Sequence, residues 1–328
     1  MSATRSLGLL PLKGDGMDRK QQNRSALVVL LWIAVLAVPA AITLNTVKVP
    51  GTLQIPSDDP TPLGYTWSLS LFIVPLWVLG AWFLRQPRLP AQRKAFWTSL
   101  LILLPLGFLL DLLFGNTFFT FPNHDAVLGL EIPAVGGDIP IEEFIFYITG
   151  FLVVLLLYIW CDEYWVAAYN VPDYRDAAAK VPKLLKFHWG SVIVGLVLLG
   201  LAVIYKKFMS GDPEGFPWYF TYLLVAAVIP SAGFFDSTRD VINWRAFSVT
   251  FFFILLVSLL WEATLAAPYG WWGYEPSAMM GMFIGGWFGL PVEAVLVWLA
   301  VTFTTVIIFE VVRLYQASGK SLREAFLG

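Results

Sequence analysis

The 328-residue sequence has little of what metal and redox sites need. It holds one cysteine, Cys161, and two histidines, His124 and His188, which lie far apart in the chain. A single cysteine excludes an internal disulfide and a cysteine metal cluster, and two distant histidines disfavour a histidine site. The glycine-bearing stretch 281–289 follows no predicted strand and lacks the spacing of a nucleotide-binding loop. We therefore expect no metal and no cofactor.

Charge is also scarce. Asp, Glu, Lys and Arg make up 13% of the residues, and the formal net charge is −2. A chain without a basic excess is not expected to bind nucleic acid. Hydrophobic residues make up 58% of the sequence, and the mean hydropathy is +0.71. This composition is typical of an integral membrane protein.

Apolar runs divide the sequence into membrane-spanning segments. Runs of about 17–22 residues can cross a bilayer as helices. We identify eight, at about 25–44, 67–84, 96–114, 141–160, 188–206, 217–235, 247–265 and 291–312. The first run follows a basic segment but is long enough to remain as an uncleaved helix.

Basic residues predict the orientation of these spans. The N-terminal tail, the C-terminal tail and every second connection hold 18 of the 21 Lys and Arg residues. Because Lys and Arg concentrate in cytoplasmic loops, both termini are predicted to be cytoplasmic. We expect a multi-pass protein of the cell (inner) membrane.

Self-comparison reveals an internal repeat at an offset of 151 residues, in one register without a gap. The matched pairs are Trp67 and Trp218, Phe83 and Phe234, Asp111 and Glu262, Phe118 and Tyr269, Phe121 and Trp272, and Glu142 and Glu293. We predict an all-α integral membrane fold of eight transmembrane helices, in which helices 2–4 and 6–8 form two parallel repeats.

The predicted domain organisation follows from these spans. A cytoplasmic tail at 1–24 precedes a first half at 25–160, whose repeat covers about 65–160. A cytoplasmic linker at 161–187 leads to a second half at 188–312, whose repeat covers about 216–312. A second cytoplasmic tail occupies 313–328.

Five carboxylates are predicted to lie at one depth, near the non-cytoplasmic ends of the helices: Asp111, Glu142, Glu143, Glu262 and Glu293. Carboxylates in hydrocarbon are costly and usually functional. The alternative is that Pro140-Ile-Glu142 is only a helix start, since proline and glutamate both suit the first turn. The repeat and the matched acids favour catalysis. We expect Glu310 to be structural, and Asp162 and Glu163 to be solvated.

Aromatic residues are dense around these acids. They form either an interfacial belt or a lining that stabilises a cation through π faces, and the two interpretations are compatible. The candidate substrate-binding residues are Phe118, Phe121, Phe146, Tyr147, Tyr269, Trp272 and Trp298. Acids and aromatics without a cofactor indicate general acid–base chemistry on an apolar substrate. Protonation of an alkene, ring closure and deprotonation need only these groups.

The stretch Pro140-Ile-Glu142-Glu143-Phe-Ile-Phe146 resembles the signature of the small membrane lycopene cyclases, which include the two-subunit bacterial form and the fused archaeal and fungal domains. The resemblance implies about three spans in each half and a cofactor-independent cyclase acting on an apolar carotenoid in the bilayer. It also implies that Glu142 and Glu293 are the leading catalytic acids, assisted by Glu143. The second copy departs from the motif, because Ala294 replaces the second acid.

The same sequence features allow other functions. A hydratase or isomerase acting on an isoprenoid would use the same cation. A non-catalytic carotenoid carrier, or a scaffold associated with other carotenoid-pathway enzymes, would need no catalytic acids. Because Glu293 lacks an adjacent acid, we expect Glu262 to be its partner. We also expect the first half to carry the initial protonation.

Overall fold

The computed structural model describes residues 62–87 and 89–328. This part of the chain is mainly helical, and seven of its helices are long and apolar enough to cross a membrane. They match seven of the predicted spans and fit a multi-pass, all-α membrane protein. The N-terminal tail and the predicted span at 25–44 lie outside the described residues.

The described helices are α1 (Gly64–Leu84), α2 (Pro90–Phe118), α3 (Ile141–Trp160), α4 (Tyr174–Ala179), α5 (Trp189–Phe208), α6 (Trp218–Thr238), α7 (Trp244–Trp261), α8 (Glu293–Ser318) and α9 (Leu322–Phe326). Helices α1–α3 correspond to the predicted helices 2–4, and α5–α8 to the predicted helices 5–8. Pro90 opens α2, where its missing N–H has no helical partner, and Gly319 ends α8 at a φ of 64°.

Two of the long helices end in a π-helical turn. The turn Cys161–Trp165 follows α3, and the turn Glu262–Ala266 follows α7. A π turn changes the direction in which the following side chains project, and such turns are frequent at functional sites. Three acids that the sequence singled out, Asp162, Glu163 and Glu262, lie in these turns.

Six short strands cover one end of the helix bundle: β1 (Phe119–Thr120), β2 (Glu131–Ala134), β3 (Gly137–Pro140), β4 (Gly273–Tyr274), β5 (Phe283–Ile284) and β6 (Leu290–Pro291). β2 pairs with β3, and β5 with β6, in antiparallel hairpins. β1 pairs with β4 and so joins the two loops. We call this the hairpin end, and the end that carries residues 161–188 and 319–328 the linker end.

The two loops at the hairpin end differ by one residue. The Ile141 N–H donates to the Leu130 carbonyl at 2.9 Å, and the Val292 N–H donates to the Met282 carbonyl at 2.8 Å. The donors lie 151 residues apart, but the acceptors lie 152 apart. The ungapped register predicted from the sequence is therefore wrong within these loops.

Helices α3 and α8 occupy the centre of the bundle and contact each other. α3 also contacts α1, α2 and α7, while α8 also contacts α6, α7 and α2. α5 packs on α6 and leaves most of its apolar side chains at the outer surface. Because α3 and α8 are central, the acids in their first turns are buried.

Buried ion pairs hold the linker end together. Arg313 donates to Asp162 at 2.9 Å and to Glu163 at 3.1 Å, and it lies 3.6 Å from Glu310. The prediction that Asp162 is solvated is wrong, since its side chain is 1% exposed. The π turn places this carboxylate inside the bundle, where Arg313 compensates the cost of burial.

Two tyrosines complete this linker-end cluster. The hydroxyls of Tyr158 and Tyr174 donate to Glu310 at 2.8 and 2.7 Å. Burial, together with the Glu310 carboxylate, raises the pKa of the Tyr174 phenol well above its usual value. The phenol therefore remains a hydrogen-bond donor. These contacts agree with the structural role expected for Glu310.

Candidate functional site

Glu142 and Glu143 are neighbours in the first turn of α3, yet they contact different parts of the molecule. One oxygen of Glu142 accepts from the Thr66 hydroxyl at 2.5 Å and from the Leu128 N–H at 2.8 Å. Glu142 is fully buried, and its other oxygen has no hydrogen-bond partner in the described part of the chain. Its observed bonds join α3 to α1 and to the loop before β2.

Glu143 projects toward the centre of the bundle. It accepts a hydrogen bond of 2.5 Å from the hydroxyl of Tyr65, which is itself fully buried in the first turn of α1. The Tyr65 ring stacks on Trp271 and packs against Trp261. These contacts fix the position of the phenol and thereby orient the Glu143 carboxyl.

Glu262 approaches the same region from the π turn that follows α7. Its carboxylate accepts from the Ser258 hydroxyl at 3.0 Å, from the Tyr274 hydroxyl at 3.1 Å and from the Trp298 indole at 3.4 Å. Burial raises the pKa of the Tyr274 phenol, which keeps it protonated as a donor. Three donors from three different segments fix the position of this carboxylate.

Asp111 lies on α2 and interacts electrostatically with Glu143. It is fully buried, and neither of its carboxylate oxygens has a hydrogen-bond partner among the described residues. The Tyr147 phenol lies near it without hydrogen-bond geometry. An unsatisfied buried carboxyl is unusual, because burial removes water without a replacement partner.

Glu293 takes the place in the second half that Glu142 takes in the first. Its carboxylate accepts from the Met280 N–H at 2.6 Å, just as Glu142 accepts from Leu128. It also interacts electrostatically with Lys206, a fully buried side chain that lies 3.1 Å from Asp212. The observed bonds of Glu262, which we expected to be the partner of Glu293, go to Ser258, Tyr274 and Trp298 instead.

A small cavity, here called the acid cavity, lies between Glu143 and Glu262. Its volume is about 30 Å³, which is room for one or two water molecules. The wall includes the buried Trp272 indole N–H, which has no hydrogen-bond partner within residues 62–87 and 89–328. The cavity is lined by Phe119, Glu143, Phe146, Tyr147, Gly150, Phe151, Tyr219, Glu262, Trp272, Tyr274, Val297, Trp298 and Val301.

A larger apolar groove adjoins the acid cavity. It has a volume of about 280 Å³ and is open at the surface of the bundle. Phe146, Gly150 and Trp298 line both spaces. The groove is lined by Leu69, Phe72, Leu76, Phe146, Thr149, Gly150, Val153, Phe253, Ile254, Val257, Ser258, Trp261 and Trp298.

The structure brings only some of the predicted site residues to the acid cavity. Those that line it are Glu143, Glu262, Phe146, Tyr147, Trp272 and Trp298. Those that line neither space are Asp111, Glu142, Glu293, Phe118, Phe121 and Tyr269. Phe118 packs against Tyr219, which lines the acid cavity, whereas Tyr269 stacks on Trp271, which lines neither space.

Sequence reasoning missed several residues of the site. Tyr65 precedes the predicted start of its span at 67, and Tyr219 and Gly150 look like ordinary residues of apolar helices. Tyr274 stands in the sequence among the aromatic residues around the acids, two residues after Trp272, but it is not one of the predicted substrate-binding residues. The structure places all four near Glu143 or Glu262.

Among the described residues, no group of three or more His, Cys, Asp or Glu side chains has the arrangement of a metal site. No protein-family model, curated protein or solved structure matches the chain. The resemblance to the small membrane lycopene cyclases therefore rests on the motif residues of the sequence.

Proposed function

We propose that this protein is a cofactor-independent acid–base enzyme that cyclises the end group of an acyclic, lycopene-like carotenoid within the membrane. One observation carries the proposal. Glu143 and Glu262, from opposite halves of the chain, line a single aromatic cavity that adjoins an apolar groove. An apolar substrate could thus meet two carboxyl groups away from bulk water.

The two carboxyl groups are arranged for different roles. Glu262 accepts three hydrogen bonds, and donors aimed at a carboxylate favour a proton acceptor. Glu143 accepts one hydrogen bond, from Tyr65, and lies near Asp111 with no ion-pair partner among the described residues. Burying two neighbouring charges without a cation is costly, so this pair is suited to holding a proton.

The proposed reaction is an isomerisation. Protonated Glu143 transfers its proton to the terminal alkene of the substrate, which leaves a tertiary carbocation. The π electrons of a second alkene then form the ring bond and move the positive charge into the ring. Glu262 takes a proton from the carbon beside that charge, and a new double bond forms. One proton is added and one removed, so no oxidant or reductant is needed.

Aromatic rings surround the place where the cation would form. Phe146 packs against Trp261, Trp272 and Trp298 with ring centroids 5.7–6.2 Å apart. Electron-rich faces stabilise a cation by about 0.5–2 kcal/mol each, and most strongly where water is excluded. This lining supports a reaction that passes through a carbocation.

The proposal includes the repeat and the orientation predicted from the sequence. The paired contacts of Glu142 with Leu128 and of Glu293 with Met280 support two copies of one unit, with a one-residue difference in the loops. The helix contacts of α3 and α8 also correspond in pairs. With eight spans and cytoplasmic termini, the acids would lie near the non-cytoplasmic face.

Hydration is the second candidate, because the acid cavity has the size of one or two water molecules rather than of a ring. A water molecule between Glu143 and Glu262 would capture the same cation and give a tertiary alcohol. The Trp272 indole N–H is a further polar group in the cavity wall. Product analysis separates the two reactions, since hydration adds one water to the mass and cyclisation adds nothing.

The test is expression of the full chain in a host that accumulates lycopene, followed by chromatography and mass spectrometry of the pigments. We expect an isomer of lycopene with a cyclised end group from the wild type and none from Glu143→Gln at equal protein level. A hydrated product would favour the second candidate. Unchanged lycopene with both proteins would contradict both reactions and favour a carrier or scaffold.

A further inference from the structure

The floor and the two walls of the groove come from three helices, and Trp298 of a fourth helix, α8, also lines it. Thr149, Gly150 and Val153 of α3 form the floor, Leu69 and Phe72 belong to the α1 wall, and residues 253–261 of α7 form the other wall. At about 1.5 Å per residue, the α7 wall extends for about 12 Å along the helix. The groove is therefore elongated along the helices.

The rim of the groove faces the lipid side of the bundle. Phe72 is 38% exposed and Phe253 is 50% exposed, and both carry apolar rings. They lie within the apolar lengths of α1 and α7, away from the helix ends. An apolar molecule could enter the groove sideways from the bilayer without crossing water.

Gly150 stands at the junction of the groove and the acid cavity, and it lines both. A Cβ atom added there would lie 3.6–3.7 Å from the Trp298 ring, which is ordinary contact. A methyl group would thus fit, whereas a longer side chain would fill the junction. At the 151-residue offset, the second half carries Val301 in this place.

We infer that the groove between α1 and α7 admits a linear isoprenoid sideways from the bilayer, and that Gly150 sets the width of the end group that reaches Glu143 and Glu262. This inference rests on the proposed function. Only the end group would pass Gly150, while the tail would lie against Val153 and Val257 and continue into lipid. A second end of the same molecule would have to leave and enter again.

The test measures binding separately from turnover. Lycopene is achiral, so a visible circular-dichroism band reports its binding in an asymmetric site. The measurement uses the full chain in detergent with the Glu143→Gln change, which is expected to stop turnover. Gly150→Leu should weaken lycopene binding by about 10- to 200-fold, the range for misfit in an apolar pocket. Gly150→Ala should bind nearly as well as the parent.

Two matched controls keep the result interpretable. Gly200→Leu makes the same change on α5, where an added Cβ has no atom of the described residues within 4 Å, and it should not alter binding. Val257→Trp fills the groove away from Gly150 and should also weaken binding. Leu256→Trp, at a neighbouring side chain that is 42% exposed and outside the groove lining, should not.

The outcomes separate this inference from the proposed function. If Gly150→Leu and Val257→Trp bind lycopene normally, or if no form gives a band, the groove inference is overturned, whatever the products of the wild type are. If both variants lose the band while the wild type leaves lycopene unchanged in the host, the groove inference stands and the proposed reaction fails.

Discussion

The two ends of the bundle both bury carboxylates, but only at one end does a cation lie beside the acids that we compare. At the linker end, Asp162 and Glu310 lie within 4 Å of the Arg313 guanidinium, and their oxygens accept further hydrogen bonds. At the hairpin end, Asp111, Glu143 and Glu262 have no ion-pair partner among the described residues. The linker-end acids share the Arg313 cation, whereas Glu143 and Glu262 face a cavity and Asp111 has no hydrogen-bond partner within the part of the chain that the structure describes.

The difference indicates where stability and where chemistry reside. A buried acid that has a cation and several donors is satisfied, and removing its partner leaves an uncompensated charge. A buried acid without a cation is costly in the folded protein and is retained where it serves a function. Burial alone does not distinguish the two groups, because both are almost fully buried.

Replacing Glu143, the proposed proton donor at the hairpin end, should give the largest effect on activity. Glu143→Gln keeps the size of the side chain and an acceptor for Tyr65 but removes the acid. We expect turnover to fall about 10²–10⁴-fold, the range for loss of a general acid, with little change in thermal unfolding. Glu310→Gln, at the linker end, is the matched control. We expect its main effect to be on thermal unfolding, with only a small effect on turnover. Equal effects of the two variants on turnover and on thermal unfolding would contradict the difference between the two ends.

Removing the linker-end cation should give the largest effect on stability. Arg313→Leu leaves Asp162 and Glu310 buried without their cation, which typically costs about 3–5 kcal/mol of unfolding free energy. Denaturant unfolding in detergent measures the loss. Adding Asp162→Asn and Glu310→Gln to Arg313→Leu should restore part of the stability, because the uncompensated charges are then gone. No restoration would contradict the ion-pair explanation.

Glu142 and Glu143 lie in the same helix turn, so variants of Glu142 test which of the two acids is the proton donor. Glu142→Ala should cost about 1–3 kcal/mol of stability, because the N–H of Leu128 and the hydroxyl of Thr66 both lose their carboxylate acceptor. Glu142→Gln keeps an acceptor oxygen and should remain folded and active. The lycopene cyclase resemblance predicts the opposite, since it makes Glu142 the leading acid. An inactive but well-folded Glu142→Gln protein would assign the proton donor to Glu142 and not to Glu143.

The smallest expected effect comes from Tyr274. Tyr274→Phe removes one of the three hydrogen bonds to Glu262 and should lower the free energy of unfolding by about 0.5–1.5 kcal/mol. If Glu262 accepts the final proton, a less well-positioned carboxylate should change the position of the new double bond in the product. Chromatography of the isomers measures this change. A lower rate with an unchanged isomer ratio would assign Glu262 a supporting role only.

The sequence by itself determined the membrane class, seven of the helices within the described residues and the two helix starts that carry Glu142 and Glu293. These features depend on local properties: the length of an apolar run and the preference of proline and glutamate for a first helical turn. Each can be recognised from a short stretch of sequence, without knowing which residues lie close together in the folded protein.

Only the tertiary structure decided which acid faces the cavity and which acid lies beside a cation. Successive side chains on a helix point about 100° apart, so Glu142 and Glu143 project in different directions. A helix that is apolar all round does not reveal its buried face in its sequence, which left that choice open. The π turns that aim Asp162 and Glu262 inward, and the loop contact that places Tyr274 beside Glu262, likewise arise from packing between segments distant in the chain.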